Sequence, residues 1–168
     1  MWAEERASAE KFNAQNKKQK RGVGVAGGWY GCGNTSLPNP STIKSGIRAD
    51  GTIVLHQGAM DIGQGANTVI TQIFAEALGV EIDTIERIGS DTDLTPDAGK
   101  TSASRQTFVS GNAARLAGKA LRHAILDRIN VGEDAELVIG DGVVCAKDAA
   151  GEHLLALSSL EVDAEGFV

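Results

Sequence analysis

The chain is short of the residues that give the quickest assignments. Its two cysteines, Cys32 and Cys145, stand far apart among 168 residues. They form no zinc-site or dithiol spacing, and so low a thiol content suits a reducing compartment. Three prolines and no three-residue repeat exclude both a collagen-like chain and a Pro/Gly-rich disordered tract. No apolar run approaches the roughly 18 residues of a membrane helix. The opening Met1-Trp2-Ala3-Glu4-Glu5-Arg6 is too acidic for a secretory signal. Basic residues are also in deficit: 16 Lys and Arg face 22 Asp and Glu, for a formal charge of -6. Nucleic acid is thereby disfavoured as a main partner, because neutralising phosphate needs a basic surface. What remains is a globular chain with no membrane and no nucleic acid among its expected partners, and the cytoplasm as its expected setting.

Glycine is plentiful instead. There are 21, against roughly 7% of residues in an average protein, and more than half fall between Gly22 and Gly65. Residues 3–20 read as a polar helix ending in a lysine cluster, and Gly22-Val23-Gly24-Val25-Ala26 reads as a buried strand. A Gly/Asn/Ser/Pro loop over 27–40 follows. Residues 42–48 alternate, Asp50-Gly51 is a hairpin turn, and Thr52-Ile53-Val54-Leu55-His56 is the return strand. From Gly65, Ala66, Val69, Ile70, Ile73, Phe74 and Ala77 recur at helical spacing, with Gly79 as the stop. Residues 84–88 read as a strand and 90–104 as a polar loop. A longer helix over 105–128 carries Val109, Ala113, Leu116, Ala117, Ala120, Leu121 and Ala124 on its inner face. Residues 136–139 and 143–146 form a hairpin, and 154–157 a further strand. Without strict β-α alternation the fold class is α+β, with mixed sheets and two packed helices. The organisation expected is a polar helix over 1–21, a core over 22–130, and a hairpin-rich, incomplete extension over 131–168. The ending at Phe167-Val168, with no closing element after it, reads as that of a fragment.

Several motifs fail on context. Gly22-Val23-Gly24-Val25-Ala26-Gly27 has the letters of a dinucleotide fingerprint, but a helix precedes it and more glycine follows, where a strand and then a helix are required. Gly99-Lys100-Thr101 lacks the upstream P-loop glycine, whose place Leu94 takes, and Pro96 removes an N–H from the would-be cradle. His56, His123 and His153 stand alone and read as structural or surface residues. Asp91, Asp93 and Asp97 faintly resemble a calcium loop, but Pro96 breaks it and Ser102 stands where its glutamate belongs. No catalytic residue and no metal ligand is assigned.

Two features survive. Asp61-Ile62-Gly63-Gln64-Gly65 opens directly into a helix, where glycines expose N–H groups at the positive end and Gln64 adds an amide. Lys100-Thr101-Ser102-Ala103-Ser104-Arg105-Gln106-Thr107 also opens into a helix, with hydroxyls, a guanidinium and an amide suited to a large polar ligand carrying phosphate. Both lie on strand-to-helix loops, so a common pocket is expected.

These residues carry a family resemblance. The segment from Gly51 to Asn112 is similar to the molybdopterin-binding large subunit of the molybdenum hydroxylases, the xanthine dehydrogenase and aldehyde oxidase family. The matching elements are Asp61-Ile62-Gly63-Gln64-Gly65, the run from Gln72 to Val80, Ser90-Asp91-Thr92-Asp93, Pro96, Gly99, the loop from Thr101 to Thr107, and Ser110-Gly111-Asn112. Phe12-Asn13 and Lys20-Arg21-Gly22-Val23-Gly24-Val25-Ala26 resemble the family's entry into its second molybdopterin-binding domain. The resemblance implies that Gly63, Gln64 and Gly65 touch the molybdenum cofactor, with Gln64 near the metal's ligands. Ile62 stands where many members have methionine or another large side chain. It also implies that Ala103, Ser104, Arg105 and Gln106 wrap the pyranopterin and its phosphate. The implied reaction hydroxylates an aldehyde or N-heterocyclic carbon with oxygen from water. Electrons leave through iron–sulfur clusters and FAD on other domains or subunits, so the remaining large-subunit domains, those subunits and a small-molecule substrate are the implied partners.

The family's catalytic glutamate lies in a Gly-Val-Gly-Glu-like motif that this sequence lacks. None of Glu133, Glu136, Glu152, Glu161 and Glu165 has that context. The isolated piece is therefore expected to be inactive. The alternative is a non-catalytic scaffold piece of such a complex, without cofactor binding.

Overall fold

Glycines in left-handed backbone set both ends of the helix that the apolar spacing announces. Gly65 (φ 80°) precedes Ala66 and Gly79 (φ 86°) follows Leu78, where its N–H closes on the Ala75 carbonyl. Only glycine takes these angles without steric cost. The computed structural model describes all 168 residues, and the chain divides into two compact units, Met1–Tyr30 and Gly31–Val168.

The first unit is built on α1 (Trp2–Gln15). This helix stops short of the expected residue 20 because Asn16 takes extended backbone. The Asn13 side chain then pairs with both backbone groups of Arg21, at 2.7 and 2.8 Å, and the Arg21 guanidinium lies 3.8 Å above the centre of the Phe12 ring. The lysine cluster thus sits on a chain that doubles back, not on a helix end. Residues 22–26, expected as a buried strand, form no strand. Valine and glycine composition states a preference for extended backbone, but a strand exists only where a neighbour supplies hydrogen bonds.

In the second unit, β1 (Ile43–Ile47) and β2 (Ile53–Gln57) pair antiparallel across the Asp50-Gly51 turn, from Ile43 with Gln57 to Ile47 with Ile53. The chain then crosses over through α2 (Ala66–Leu78) and a short 3-10 turn to β3 (Ile85–Gly89), which pairs parallel to β2. The three strands lie in the order β1-β2-β3. β2 is central and wholly buried. Next comes α3 (Gln106–Ile129), closed by Asn130 at φ 60°. Last is an antiparallel meander of β4 (Glu136–Gly140), β5 (Val143–Asp148) and β6 (Gly151–Ala156). One core joins Ile53 and Leu55 of β2, Ile70, Phe74 and Leu78 of α2, Ala114 and Leu126 of α3, and Leu137 and Val144 of the meander. The fold is α+β.

The face by which α3 meets that core differs from the expected one. Its buried residues include Ser110, Gly111, Ala114 and Gly118, while Leu116 is exposed. The smallest residues face α2 because the helices approach closely. A Cβ at Gly118 would stand 2.7 Å from the Phe74 carbonyl and 2.9 Å from Ala77 Cβ, whereas one at Gly111 would meet only Ile73 Cδ1, at 2.8 Å. Alanine gains up to about 1 kcal/mol of helix propensity over glycine at either site. A methyl terminus can rotate away, but a backbone carbonyl cannot. Gly111→Ala is therefore expected to be neutral or stabilising, and Gly118→Ala destabilising by about 1–3 kcal/mol, both read from urea midpoints.

Candidate functional site

The β2-to-α2 loop is organised by the carboxylate of Asp61. It accepts the amides of Gly63 at 2.8 Å, Gly65 at 3.3 Å and Asn67 at 3.0 Å. Those backbone bonds, Asn67's first and then Gly63's, hold the Asp61 carboxyl below the usual carboxylate range, and Arg87 adds a smaller attraction. The anion that the positive end of α2 favours is thus supplied in part from within the chain. The Gln64 side chain folds over the same loop, accepting from Ile62 N at 2.6 Å and donating to the Met60 carbonyl at 3.3 Å. That leaves one N–H and one lone pair of its amide for another partner. Gly63 and Gly65 sit at φ 102° and 80°, with open space where a side chain would begin.

Behind this loop stands Gln57, fully buried at the end of β2. Its Oε1 accepts from Ala59 N at 2.9 Å and its Nε2 donates to Asn67 Oδ1 at 2.6 Å. Asn67 is therefore held at its backbone by Asp61 and at its side chain by Gln57. Neither residue was assigned a role from sequence. For Asp61 the signal was present, an aspartate two residues before a glycine at a helix start, which is the pattern of a capping turn.

The second loop is held from inside by Arg105. This side chain is 1% exposed. Its Nε donates to Asn39 Oδ1. Its two terminal nitrogens donate to the carbonyls of Ala98 (2.7 Å), Lys100 (2.9 Å), Pro40 (2.8 Å) and, more weakly, Asn39 (3.5 Å). Gln106 is also turned inward, towards Ser110, the Lys100 carbonyl and Thr101 Oγ1. The guanidinium and amide expected to converge on a ligand are thus committed to the protein, and the exposed side chains of the segment are those of Lys100, Ser104 and Thr107. Ala103 and Ser104 are both left-handed, at φ 49° and 55°, which is costly for residues with a Cβ. The turn is fixed by Arg105 N on the Ser102 carbonyl at 3.1 Å and by Gly33 N on the Ala103 carbonyl at 2.6 Å. Asn34 Nδ2 adds a bond to Ser102 Oγ at 2.8 Å.

The two loops meet. Thr101 Oγ1 donates to the Met60 carbonyl at 2.8 Å, the carbonyl that also receives Gln64. Beside this junction is a cavity of about 330 Å³ lined by Gly58, Met60, Asp91, Thr95, Pro96 and Ala98. A larger groove, about 900 Å³, runs along α2 and α3 past Ile73, Glu76, Arg115, Lys119 and Glu133. It shares no residue with either loop.

The histidines and the acidic loop have structural partners. His56 Nδ1 lies 2.9 Å from the Leu94 carbonyl. His123 contacts Glu133 and Asp127, chiefly through its hydrogen bond to Glu133, and its pKa is raised. His153 contacts Asp148. Asp91 Oδ1 caps its own turn by accepting from Asp93 N and Leu94 N.

A family model described as "Molybdopterin cofactor-binding domain" matches residues 1–166. The chain belongs to this family. It is 34% identical over 172 aligned positions to the putative xanthine dehydrogenase molybdenum-binding subunit XdhA of Escherichia coli (strain K12), covering 97% of this chain and 22% of that protein. It is 38% identical over 108 residues to an aldehyde oxidoreductase of Megalodesulfovibrio gigas, covering 62% and 12%. The fold resembles that of quinoline 2-oxidoreductase from Pseudomonas putida 86, with a TM-score of 0.56 and 20% identity over 77% of this chain and 17% of that one. The chain thus spans about a fifth or less of these relatives. No helix is long and apolar enough to cross a membrane.

The residues present fit a large polar heterocycle. Two glycines open onto free space, the loops are joined, and a serine is held in a left-handed turn at the surface.

Two outcomes follow from this geometry. Arg105→Met leaves several buried acceptors without donors and is expected to cost about 3 kcal/mol or more. Arg105→Lys recovers only part of that loss, because an ammonium cannot span the fork; urea denaturation of both variants checks it. Asp61, whose folded pKa is depressed, contributes stability above its ordinary pKa, and that contribution is lost as pH falls through the folded value. The Gly63 and Asn67 amide resonances should therefore shift as pH drops below about 4, and Asp61→Asn should abolish that step.

Proposed function

We infer that this chain supplies part of the molybdopterin seat of a molybdenum-dependent oxidoreductase that hydroxylates an aldehyde or N-heterocyclic carbon with oxygen from water. The observation supporting this reading is the junction of the two loops at the Met60 carbonyl, which ties the loop bearing Gly63–Gly65 to the loop bearing Ala103 and Ser104. In this reading Gly63, Gly65 and Ala103 offer backbone, Ser104 its hydroxyl and Gln64 its amide. Arg105 and Gln106 hold the turn from behind. When bound, the cofactor supplies a molybdenum centre for oxygen transfer and electron uptake. Iron–sulfur clusters and FAD on other domains or subunits then carry electrons away, and the general base comes from a part of the enzyme outside this chain.

A non-catalytic scaffold is the second reading. It is favoured by the inward turn of Arg105 and Gln106 and by the Asp61 carboxylate already seated at the α2 N-terminus. The full-length complex separates the two. Asparagine tolerates left-handed backbone, so Gly65→Asn combined with Ser104→Asn puts side chains into the proposed seat without unfolding it. Molybdenum content and oxidised-pterin fluorescence should fall about tenfold, the equivalent of roughly 1.4 kcal/mol of binding. A wild-type complex with neither molybdenum nor pterin would establish the scaffold. The isolated 168-residue chain is expected to show no steady hydroxylase turnover, checked with aldehyde and purine substrates.

A further inference from the structure

Gln57 ends β2 as a polar residue in a strand that is buried throughout, and it is as fully enclosed as Val54 and Leu55 before it. Bulk alone would be served there by a leucine or methionine, because a buried amide is costly unless its donor and acceptor are both met. Both are met, and at the two ends of one loop. Oε1 accepts the Ala59 amide at 2.9 Å, where the chain leaves β2. Nε2 donates to Asn67 Oδ1 at 2.6 Å, in the first turn of α2. The amide has one workable direction, since a backbone N–H can only donate. Asn67 is fixed in turn: its N–H donates to Asp61 Oδ2 at 3.0 Å and its carbonyl accepts Thr71 Oγ1 at 2.8 Å. The neighbouring strand leaves room for the bridge. A Cβ on Gly89, the register partner of Gln57, would stand 3.3 Å from Gln57 Nε2 and 3.2 Å from its carbonyl oxygen.

The bonds made by the loop's own side chains stay within it. Those of Asp61 reach Gly63, Gly65 and Asn67, and those of Gln64 reach Ile62 and Met60. They shape the loop from inside, and none reaches β2. We propose that Gln57 is the positioning residue of this loop. It bridges the place where the chain leaves the sheet and the place where it enters the helix. Through those two ends it holds Gln64 and the Met60 carbonyl where Thr101 of the second loop meets them. Once the bridge is lost, the ends swing apart and the grip of Asp61 on three amides between them loosens. This inference rests on the reading that the two loops seat molybdopterin. Gln57 lies behind the loop, so it acts through Ala59 and Asn67 and not on the ligand.

Hydrogen exchange of the isolated chain, followed by NMR, tests the bridge with no cofactor present. Gln57→Met keeps the bulk and removes both bonds. The Gly63 and Gly65 amides should then exchange about tenfold faster, as the loss of a pair of net hydrogen bonds allows. These amides open locally, so a fall in overall stability alone does not move them. Asn67→Ala removes one arm of the bridge and should raise the same rates about threefold. The double variant should be no faster than Gln57→Met, because that arm is already gone. Wild-type exchange in a folded Gln57→Met chain overturns the proposal, and so does a double variant in which the two effects multiply. Should Gln57→Met fail to fold, unchanged exchange in Asn67→Ala overturns it. In the complete molybdenum subunit, molybdenum and pterin should be lost on dialysis about tenfold faster from Gln57→Met than from the wild type. Loss at the wild-type rate overturns the positioning role. A wild-type subunit holding neither group brings down the cofactor reading, while faster loop exchange in the isolated chain still upholds the bridge.

Discussion

The guanidinium of Arg105 gathers carbonyls from Asn39 and Pro40 on one side and from Ala98 and Lys100 on the other, from the residue just before α3. No carboxylate shares this buried site; the charge is met by neutral dipoles alone. Such an arrangement is rigid, because each carbonyl displaced leaves a buried cation short of a partner. The left-handed Ala103-Ser104 turn depends on it. Two consecutive residues with a Cβ at positive φ cost of order 1–3 kcal/mol each, and they persist because the chain on both sides is fixed. Gly33, Asn34 and the Met60–Thr101 contact add further restraint.

A division of labour follows. Asp61, Arg105 and Gln106 are turned to the protein, whereas Gln64 and Lys100 stay exposed. Asp61 does for the first loop what Arg105 does for the second, with opposite charge: a carboxylate gathers amides, a guanidinium gathers carbonyls. The outward surface combines glycine and peptide groups with the Ser104 hydroxyl, the Gln64 amide and the Lys100 ammonium, groups that can approach a flat heteroaromatic ligand closely and hydrogen-bond to it. Substituting Asp61 or Arg105 changes the shape of this surface, not its chemistry.

Much of this was legible in the sequence, and the limits have physical causes. The bounds of α2 could be read because Gly65 and Gly79 punctuate a clear apolar period. The β1–β2 hairpin could be read because Asp50-Gly51 leaves few alternatives. The inner face of α3 could not, because close packing against α2 selected Gly111, Ala114 and Gly118 over the larger Leu116, against the rule that bulk marks the core. The strand over residues 22–26 was read from composition, but pairing is a property of two segments, and a sequence scan sees one. Arg105 was picked out as a residue of interest, yet its direction was hidden. A buried arginine and a ligand-facing arginine are the same letter, and Asn39 with its neighbour Pro40 gives no local sign of the partnership.

The β2–α2–β3 crossover places the first loop inside a connection whose closing contact joins residues as distant in sequence as Ile53 and Ile85. The second loop is closed by Gly33 on Ala103, a longer span still. Contacts of high sequence separation form late, since the entropy of closing the chain must be overcome before they contribute. The junction of the two loops therefore rests on contacts of high sequence separation, unlike the Asp61 turn, whose bonds span only a few residues. Loss of either long-range closure would part the two loops even where each keeps its own local turn.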